Sequence, residues 1–594
     1  MFLRVTNRRK DGKDHRYYSV VENRRVRGGQ HVQKTLLYLG EINDTQKAAW
    51  AQTIDAIDER EHRQVALFPE DRDIPEGVDV GVQVRLKELQ LRRPRQWGAC
   101  WLACELWDLL GLGQFWKERL AASRKGTEWL HVLQTLACYR LIDPGSEWRL
   151  HRYWFDHSAM ADLLGEDFKI AQKDTLYRCH DRLLQHKEEL FKHLKGRWET
   201  LFDARCEVLL YDLTSTYFES NPPFDGKRQF GYSRDKRSDC VQVVIALVVT
   251  PEGFPLGYEV MAGNTADNTT LRGFLEKIER QHGKAERIWV MDRGIPTEDV
   301  LAEMRNASTP VYYLVGTPKG RLSRYEEDLT ALPWEKVRDD VSVKFLQDGE
   351  EIYVYAQSHD RVKKERAIRK RRMRHLIEQL KALRHQKRLD RDSLLMKLGA
   401  ARKDAGRAFG LVDIVLPDSG QPINARTFHW RINREKYRRA YRREGRYLLR
   451  SNLPPANPAR LWEYYIQLTE VEEAFRNLKG DLAIRPIHHQ LESRIEAHIF
   501  IAFLAYCLHV TLRQRCKQHA TGLTPRSVIE QLKVMQMIDV HMPTVDGRWL
   551  KMSRYTQPDK AQQLLLAQLQ LVLPPQPPPE ITRDQYRKSC GEDL

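Results

Sequence analysis

The stretch EVLLYDLTSTYF, residues 207–218, favours an extended strand because apolar and β-branched side chains dominate it. Similar strand patterns follow at VQVVIALVVT (241–250), FPLGYEVM (254–261), RIWVMD (287–292) and PVYYLVGT (310–317). An amphipathic helix is expected from about Thr269 to Gln281. This order predicts an antiparallel meander of three strands, followed by parallel strands with helices between them. The expected fold class is therefore α/β, with a mixed sheet flanked by helices.

Composition is typical of a globular protein rather than a disordered or membrane-embedded one. The chain has 594 residues, of which 41% are hydrophobic and 30% charged. Its longest apolar stretch, IFIAFLAYCLHV (499–510), falls short of the ~20 residues that a spanning helix needs, so a buried helix is expected. The N-terminus carries charges where a secretory signal would need an apolar run, so a cytoplasmic location is expected.

The nine cysteines do not follow the spacing of a metal site or a disulfide framework. Cys100 and Cys104 lie in an apolar helical run, WGACWLACELWDLL, and no second cysteine pair is near them in the sequence. A zinc site at this pair is therefore not expected.

Positive charge is concentrated in three segments of a chain whose formal net charge is +17. The net charge is +7 in residues 1–36, +13 in residues 361–407 and +7 in residues 431–450. A single basic run is commonly a solvated helix face, but three in one chain favour a nucleic-acid partner. The third segment interleaves its arginines with Tyr437, Tyr441 and Tyr447. It can therefore contact phosphates and stack on bases, or form an ordinary pair of strands.

The sequence pattern divides the chain into regions. They are a basic, β-rich N-terminal module (1–66), a mainly helical region expected to bind DNA or to dimerise (80–200), the first part of the sheet domain (201–318), an insertion (319–457), the second part of the sheet domain (458–545) and a C-terminal tail (546–594). A turn is expected at Gly28 and Gly29. A Pro/Asp/Gly-rich linker is expected at residues 67–81, between the first two regions.

The insertion is expected to contain strands on either side of a long basic helix. Apolar residues recur along that helix at the spacing of a coiled coil, at Met373, Leu376, Leu380 and Leu383. Two interpretations remain open, since the helix either lies along DNA or packs on a partner helix.

Carboxylates at strand ends are candidate metal ligands for phosphodiester chemistry, which uses hard cations held by oxygen. Asp212 follows the apolar run EVLLY and Asp292 follows RIWVM, so each is predicted at one end of the sheet. A third candidate, Glu472 or Glu473, lies in a helical pattern. Taken singly, each of these is commonly a cap, a turn residue or a surface residue.

At these residues the sequence resembles the DDE transposases of the insertion-sequence-four superfamily, which have an RNase H-like catalytic domain. The first motif, Asp-x-Thr/Ser, matches residues 212–214, and the second, Asp-x-Gly, matches residues 292–294. The third motif has the order Tyr, two residues, Arg, three residues, Glu, six residues, Lys. It matches Tyr465, Glu472 and Lys479, with Leu468 in the arginine position.

The spacing of this third motif favours Glu472 over Glu473, which stays an alternative. One helix from near Ala459 to about Gly480 is expected to carry the motif, with Tyr465, Glu472 and Lys479 on one face. Arg476, one turn past Glu472, would substitute for the missing arginine. The resemblance implies that Tyr465, Arg476 and Lys479 bind DNA phosphates.

The resemblance further implies a transposase that binds the terminal inverted repeats of an insertion sequence, cleaves DNA and transfers the strand to target DNA. Asp212, Asp292 and Glu472 would be the catalytic residues and the ligands of two Mg²⁺ ions, with Mn²⁺ as a substitute. The partners would be double-stranded DNA and a second copy of the chain in the DNA complex, at the bacterial nucleoid and without a membrane. The alternatives are an inactive, transposase-derived DNA-binding protein and an RNase H-like nuclease without strand transfer.

Overall fold

The computed structural model describes residues 1–10, 13–25, 31–61, 84–123, 126–219, 226–309, 311–317, 325, 332–338, 341–386, 389–454 and 458–582. The predicted glycine turn at Gly28 and Gly29 and the linker at 67–81 lie outside these residues.

The strands are β1 (Phe2–Lys10), β2 (Lys13–Arg25), β3 (His31–Gly40), β4 (Gln90–Gln96), β5 (Val208–Tyr217), β6 (Gln242–Val249), β7 (Pro255–Ala262), β8 (Arg287–Met291), β9 (Val311–Gly316), β10 (Glu335–Arg338), β11 (Val341–Asp348), β12 (Glu351–Ser358), β13 (Val412–Val415), β14 (His429–Ile432), β15 (Arg446–Ser451), β16 (Gln536–Pro543), β17 (Trp549–Tyr555) and β18 (Glu580–Thr582).

The helices are α1 (Asp44–Glu61), α2 (Gly98–Leu109), α3 (Leu112–Lys117), α4 (Trp129–Ile142), α5 (Glu147–Arg149), α6 (Met160–Leu164), α7 (Lys173–His180), α8 (Lys187–Phe202), α9 (Leu271–His282), α10 (Glu298–Arg305), α11 (His359–His385), α12 (Arg391–Ala405), α13 (Arg434–Arg443), α14 (Pro458–Ile466), α15 (Leu468–Lys479), α16 (Glu492–His519), α17 (Pro525–Leu532) and α18 (Lys560–Gln568).

The chain forms two compact bodies, a larger one of residues 1–285 with 468–594 and a smaller one of residues 286–467. In the larger body, β1, β2 and β3 form a three-stranded antiparallel sheet, as the β-rich N-terminal pattern predicts. The predicted meander is also present, because β6 pairs antiparallel with both β5 and β7. Every residue of β6 is buried, which explains its unbroken apolar sequence.

Helix α16 lies in the core of the larger body and packs against α2, α4, α7, α15 and α17. It is long and apolar enough to cross a membrane, but 94% of its apolar window is buried inside the protein. This is the buried helix that the sequence predicts. The next helix, α17, begins after Thr524, whose side chain accepts a hydrogen bond from the Ser527 backbone N–H, with Pro525 in the first turn.

A second sheet of the larger body joins distant parts of the chain in the strand order β18, β17, β16, β4. Strand β4 pairs antiparallel with β16, although about 440 residues separate them. Arg95 in β4 binds Asp539 in β16 at 2.9 Å, and both side chains are 1% exposed. The region boundary expected after residue 545 lies in the turn between β16 and β17, which pair with each other.

The smaller body contains a sheet in the order β10, β11, β12, β15, β9, β8. Strands β8 and β9 are parallel, as predicted for the later strands, and the other pairs are antiparallel. The predicted α/β architecture with a mixed sheet and flanking helices is therefore confirmed. This body extends beyond the insertion expected at 319–457, because β8, β9 and α14 belong to it.

The long basic segment of the smaller body forms a helical hairpin of α11 and α12. The coiled-coil positions Met373, Leu376, Leu380 and Leu383 are buried against residues of α12 such as Leu394 and Leu398. The partner helix that the apolar spacing predicts is thus the next helix of the same chain. The opposite face of α11 carries exposed cations that include Lys370, Arg371 and Arg374.

Candidate active site

Asp212 lies in the middle of β5, opposite Leu247 of β6, and not at a strand end as the sequence predicts. The strand continues to Tyr217 because the residues after Asp212, Leu-Thr-Ser-Thr, also favour extended backbone. Its neighbours Tyr211 and Leu213 are buried, whereas Asp212 is half-buried. Asp212 is therefore a carboxylate that is partly accessible to solvent within a strand whose neighbouring residues are buried.

Asp292 directly follows β8, where the sequence places it, and its side chain is exposed. Its carbonyl accepts a hydrogen bond from the Ile295 N–H at 3.2 Å, and its Oδ1 accepts one from the Arg293 N–H at 2.8 Å. The backbone turn thus fixes one carboxylate oxygen and leaves the carboxyl group accessible to solvent.

A cavity of about 270 Å³ in the smaller body, here called the Asp292 pocket, is strongly basic. Its lining includes Asp292, Tyr465, Glu365 and five arginines: Arg293, Arg361, Arg407, Arg443 and Arg446. Five guanidinium groups against two carboxylates give this cavity the charge that a phosphate backbone requires.

Tyr465 shares the Asp292 pocket and lies beside Gly316 at the end of β9. A Cβ atom at residue 316 would lie 2.7 Å from Tyr465 Oη and 3.5 Å from Asp292 Oδ1, so the absence of a side chain there makes room for both. Burial, and after it the Asp292 carboxylate, raises the pKa of Tyr465 to about 12. The phenol is therefore a neutral hydrogen-bond donor at physiological pH.

Tyr465 is not on the helix of Glu472, and the prediction of one continuous helix is wrong. Helix α14 ends at Ile466 and α15 starts at Leu468, with a turn at Gln467 between them. Leu468, in the arginine position of the motif, is thus the first residue of α15. Glu472 and Lys479 remain two turns apart on α15, as predicted.

On α15, Glu473 is engaged in ion pairs and Glu472 is not. Glu473 Oε2 lies 3.3 Å from Arg513 Nη1 and its Oε1 lies 3.7 Å from Arg476 Nη2. Glu472 is exposed and has no ion pair or hydrogen bond among the described residues. Helix α15 packs against β5, the strand of Asp212.

Lys479 is held by an acid that the sequence analysis did not identify as functional. Its Nζ lies 2.8 Å from Asp235 Oδ1, and Arg485 Nη1 lies 2.5 Å from the same oxygen. Burial lowers the pKa of Lys479, and Asp235 opposes that shift. Asp235 lies in the polar segment GYSRDKRSD (231–239), where three basic and two acidic residues are mixed and no spacing marks one acid as functional. Arg476, the proposed substitute arginine, has a side chain that is 75% exposed.

The tyrosines of segment 431–450 are covered by arginines of α11. Arg361 lies 4.0 Å from the ring centroid of Tyr447, Arg366 lies 4.0 Å from that of Tyr441, and Arg369 lies 4.3 Å from that of Tyr437. These are cation–π contacts within the smaller body. The segment forms the end of β14, helix α13 and most of β15, so the simple strand pair is wrong.

Known proteins share this sequence pattern. The family model described as "Transposase DDE domain" matches residues 205–508, and that described as "IS1634 family transposase, N-terminal domain" matches residues 3–70. No curated protein matches the chain. A solved piggyBac transposase synaptic complex with hairpin DNA is 10% identical, over 73% of this chain and 79% of that chain, at a TM-score of 0.34.

The family match covers more than half of the chain and includes Asp212, Asp292, Tyr465, Glu472 and Lys479. The α/β architecture expected from the sequence, a mixed sheet with flanking helices, is the one that the structure shows. The chain belongs to the DDE transposase family and is a DNA transposase of an insertion-sequence type.

Proposed function

We propose that this transposase binds the terminal inverted repeats of its insertion sequence and catalyses metal-dependent DNA cleavage and strand transfer, with Asp212, Asp292 and Glu472 as the catalytic carboxylates. The observation that carries the proposal is Glu472, an exposed carboxylate without an ion-pair partner among the described residues, on a helix packed against the strand of Asp212. The neighbouring Glu470 and Glu473 both bind Arg513.

The three side chains offer the hard oxygen donors that Mg²⁺ prefers. We assign them two Mg²⁺ ions, for which Mn²⁺ would substitute. When bound, such ions supply charge that activates the attacking oxygen and stabilises the leaving oxygen of an in-line phosphoryl transfer. Strand β5 continues on both sides of Asp212 and pairs with β6, which fixes the backbone of this residue. The turn that follows β8 fixes Asp292.

The Asp292 pocket would hold DNA phosphate beside Asp292. Arg293, Arg446 and the other pocket arginines supply positive charge, while Tyr465 donates a hydrogen bond from its neutral hydroxyl. Lys479 and Arg476 are the further phosphate contacts, and Lys479 would exchange Asp235 for phosphate when DNA arrives. DNA at the bacterial nucleoid is the expected substrate, and pairing of two ends requires a homodimer in the complex.

The test is cleavage and joining of a labelled duplex that carries the ends of the element, in Mg²⁺. We expect Asp212→Asn, Asp292→Asn and Glu472→Gln each to lower the joining rate by about a thousandfold or more while end binding persists. Glu473→Gln is the matched control on the same helix and should join DNA.

Each contrary result points to a different alternative. Binding without cleavage by the wild type would favour the inactive DNA-binding protein. Cleavage without joining would favour a nuclease. If Glu473→Gln fails while Glu472→Gln is active, then Glu473 is the catalytic glutamate.

A further inference from the structure

Four side chains of the larger body that the proposed reaction does not use form a buried cluster. They are Glu147, His180, His489 and His498, which are between 1% and 9% exposed. Each offers one potential ligand atom, and these atoms all lie within 4.8 Å of one another. Glu147 begins α5, His180 ends α7, His489 precedes α16 and His498 lies within α16.

One carboxylate oxygen, Glu147 Oε1, lies close to a ring nitrogen of each of the three histidines. Glu147 Oε1 lies 3.3 Å from His180 Nε2, 3.4 Å from His489 Nε2 and 3.5 Å from His498 Nδ1. These separations are longer than good hydrogen bonds. They match the edges of a tetrahedron around zinc, since metal–ligand bonds of 2.0–2.1 Å place ligand atoms about 3.3–3.4 Å apart.

The protons of two imidazoles point away from the cluster. His180 Nδ1 lies 3.0 Å from the Leu176 carbonyl oxygen, and His498 Nε2 lies 3.3 Å from the Ile484 carbonyl oxygen. A carbonyl accepts hydrogen bonds and does not donate them, so both nitrogens carry a proton. In the neutral ring the other nitrogen then presents a lone pair to Glu147.

A lone pair that faces a carboxylate oxygen is unfavourable unless a proton or a metal ion lies between the two atoms. His180 Nε2 is buried and makes no hydrogen bond. Backbone carbonyls that fix the outer nitrogen of a histidine are the usual second contact of a metal-bound imidazole. The tautomers, the burial and the ligand spacing therefore point to the same arrangement.

Arg140 is the competing cation. Its Nη2 lies 3.4 Å from His498 Nδ1 and 3.8 Å from Glu147 Oε1, and its Nη1 donates to the Ala483 carbonyl at 3.1 Å. This guanidinium neutralises part of the carboxylate charge. Arg140 does not donate a hydrogen bond to His180 Nε2, which therefore remains without a hydrogen-bond partner among the described residues. A metal ion at the centre of the cluster would bind this nitrogen.

We propose that Glu147, His180, His489 and His498 bind one zinc ion. Three imidazole nitrogens and one carboxylate suit a borderline-soft ion such as Zn²⁺ better than Mg²⁺. Four protein ligands close the coordination sphere, which is typical of a structural site rather than a catalytic one. The ion fastens the helical region of residues 147–180 to α16, the core helix that also packs against the helix of Glu472.

The test uses the full chain, purified without an affinity tag and without DNA. We expect about one zinc per chain by elemental analysis after dialysis. Replacement by Co²⁺ should give the intense visible absorption of a tetrahedral ion, and EDTA should lower the melting temperature. A wild-type protein with no zinc, no cobalt spectrum and no response to EDTA would overturn the proposal and leave an Arg140–Glu147 ion pair.

Variants assign the ligands. Glu147→Gln and His180→Asn should each lose most of the zinc, whereas His509→Asn should retain it, because His509 is buried on α16 but lies outside the cluster. If both cluster variants bind zinc as the wild type does, the ion is held elsewhere and the assignment fails. The wild-type measurements do not depend on the stability of any variant.

Discussion

Lys479 Nζ lies 2.8 Å from Asp235 Oδ1, so the lysine of the transposase signature is paired with an acid of the segment that follows β5. The Asp235 side chain is 8% exposed and also binds Arg485. One buried carboxylate thus holds two cations in place.

Removal of this carboxylate should destabilise the larger body. In Asp235→Ala, Lys479 and Arg485 lose their counter-charge in a poorly solvated position, and we expect the free energy of unfolding to fall by about 3 kcal/mol. Urea denaturation of the wild type and the variant measures it. Asp239→Ala is the control, because Asp239 is 65% exposed and its loss should destabilise the protein much less than the loss of Asp235. Equal losses in the two variants would contradict the role of Asp235.

The sequence predicts the strands well because each carries a local signal. The apolar runs that became β5, β6, β7, β8 and β9 are nearly continuous, as buried strands require, and Asp292 follows β8 as expected. The sequence pattern wrongly places Asp212 at a strand end, because an aspartate that follows an apolar run is typical of that position. The break between α14 and α15 was missed because neither glycine nor proline marks Gln467.

The sequence does not predict the Lys479–Asp235 ion pair or the histidine cluster, because the residues that form them are far apart in the sequence. Lys479 and Asp235 are 244 residues apart, and the ligands of the proposed zinc site extend from Glu147 to His498. Only folding brings such groups together. A single histidine in a buried helix such as α16 gives no sign of its neighbours.

Tyr465→Phe should slow strand joining by about tenfold or more, because it removes a hydrogen bond to a charged phosphate. The pKa of Tyr465 is raised to about 12, so the hydroxyl stays protonated as the pH rises through the value near 10 of an ordinary tyrosine. Single-turnover rates between about pH 7 and pH 10 should therefore show no decline due to this residue. Tyr464→Phe is the adjacent control, since the Tyr464 hydroxyl accepts from exposed Arg460. A matching decrease in the control would refute the special role of Tyr465.

Glu444 holds α11 to the segment after α13 through two arginines. It is buried, its Oε2 lies 3.2 Å from Arg366 Nε, and its Oε1 lies 2.5 Å from Arg369 Nε. Glu444→Gln would leave both guanidinium groups without a counter-charge, and we expect a loss of about 3 kcal/mol in stability. Glu435→Gln, whose 84% exposed side chain pairs with Arg439, should change stability by less than about 0.5 kcal/mol. Thermal unfolding of the two variants tests the difference.

The exposed face of α11 is the part of the helical hairpin available to DNA. Its apolar face is buried against α12, and Arg366 and Arg369 are bound by Glu444, which leaves Lys370, Arg371 and Arg374 exposed. If this face contacts phosphates, each contact adds about 0.9 to the slope of log K against log salt concentration. Reversal of all three charges to glutamate should therefore lower that slope by about two to three.

The charge-retaining triple variant Lys370→Arg, Arg371→Lys and Arg374→Lys is the matched control and should keep the wild-type slope. The salt dependence is measured by titration of the labelled terminal repeat at several salt concentrations. An unchanged slope in the glutamate variant would mean that this face is solvated and that α11 serves the fold of the smaller body. A reduced slope with unchanged thermal stability would assign the face to DNA, because the buried contacts with α12 and Glu444 would then be intact.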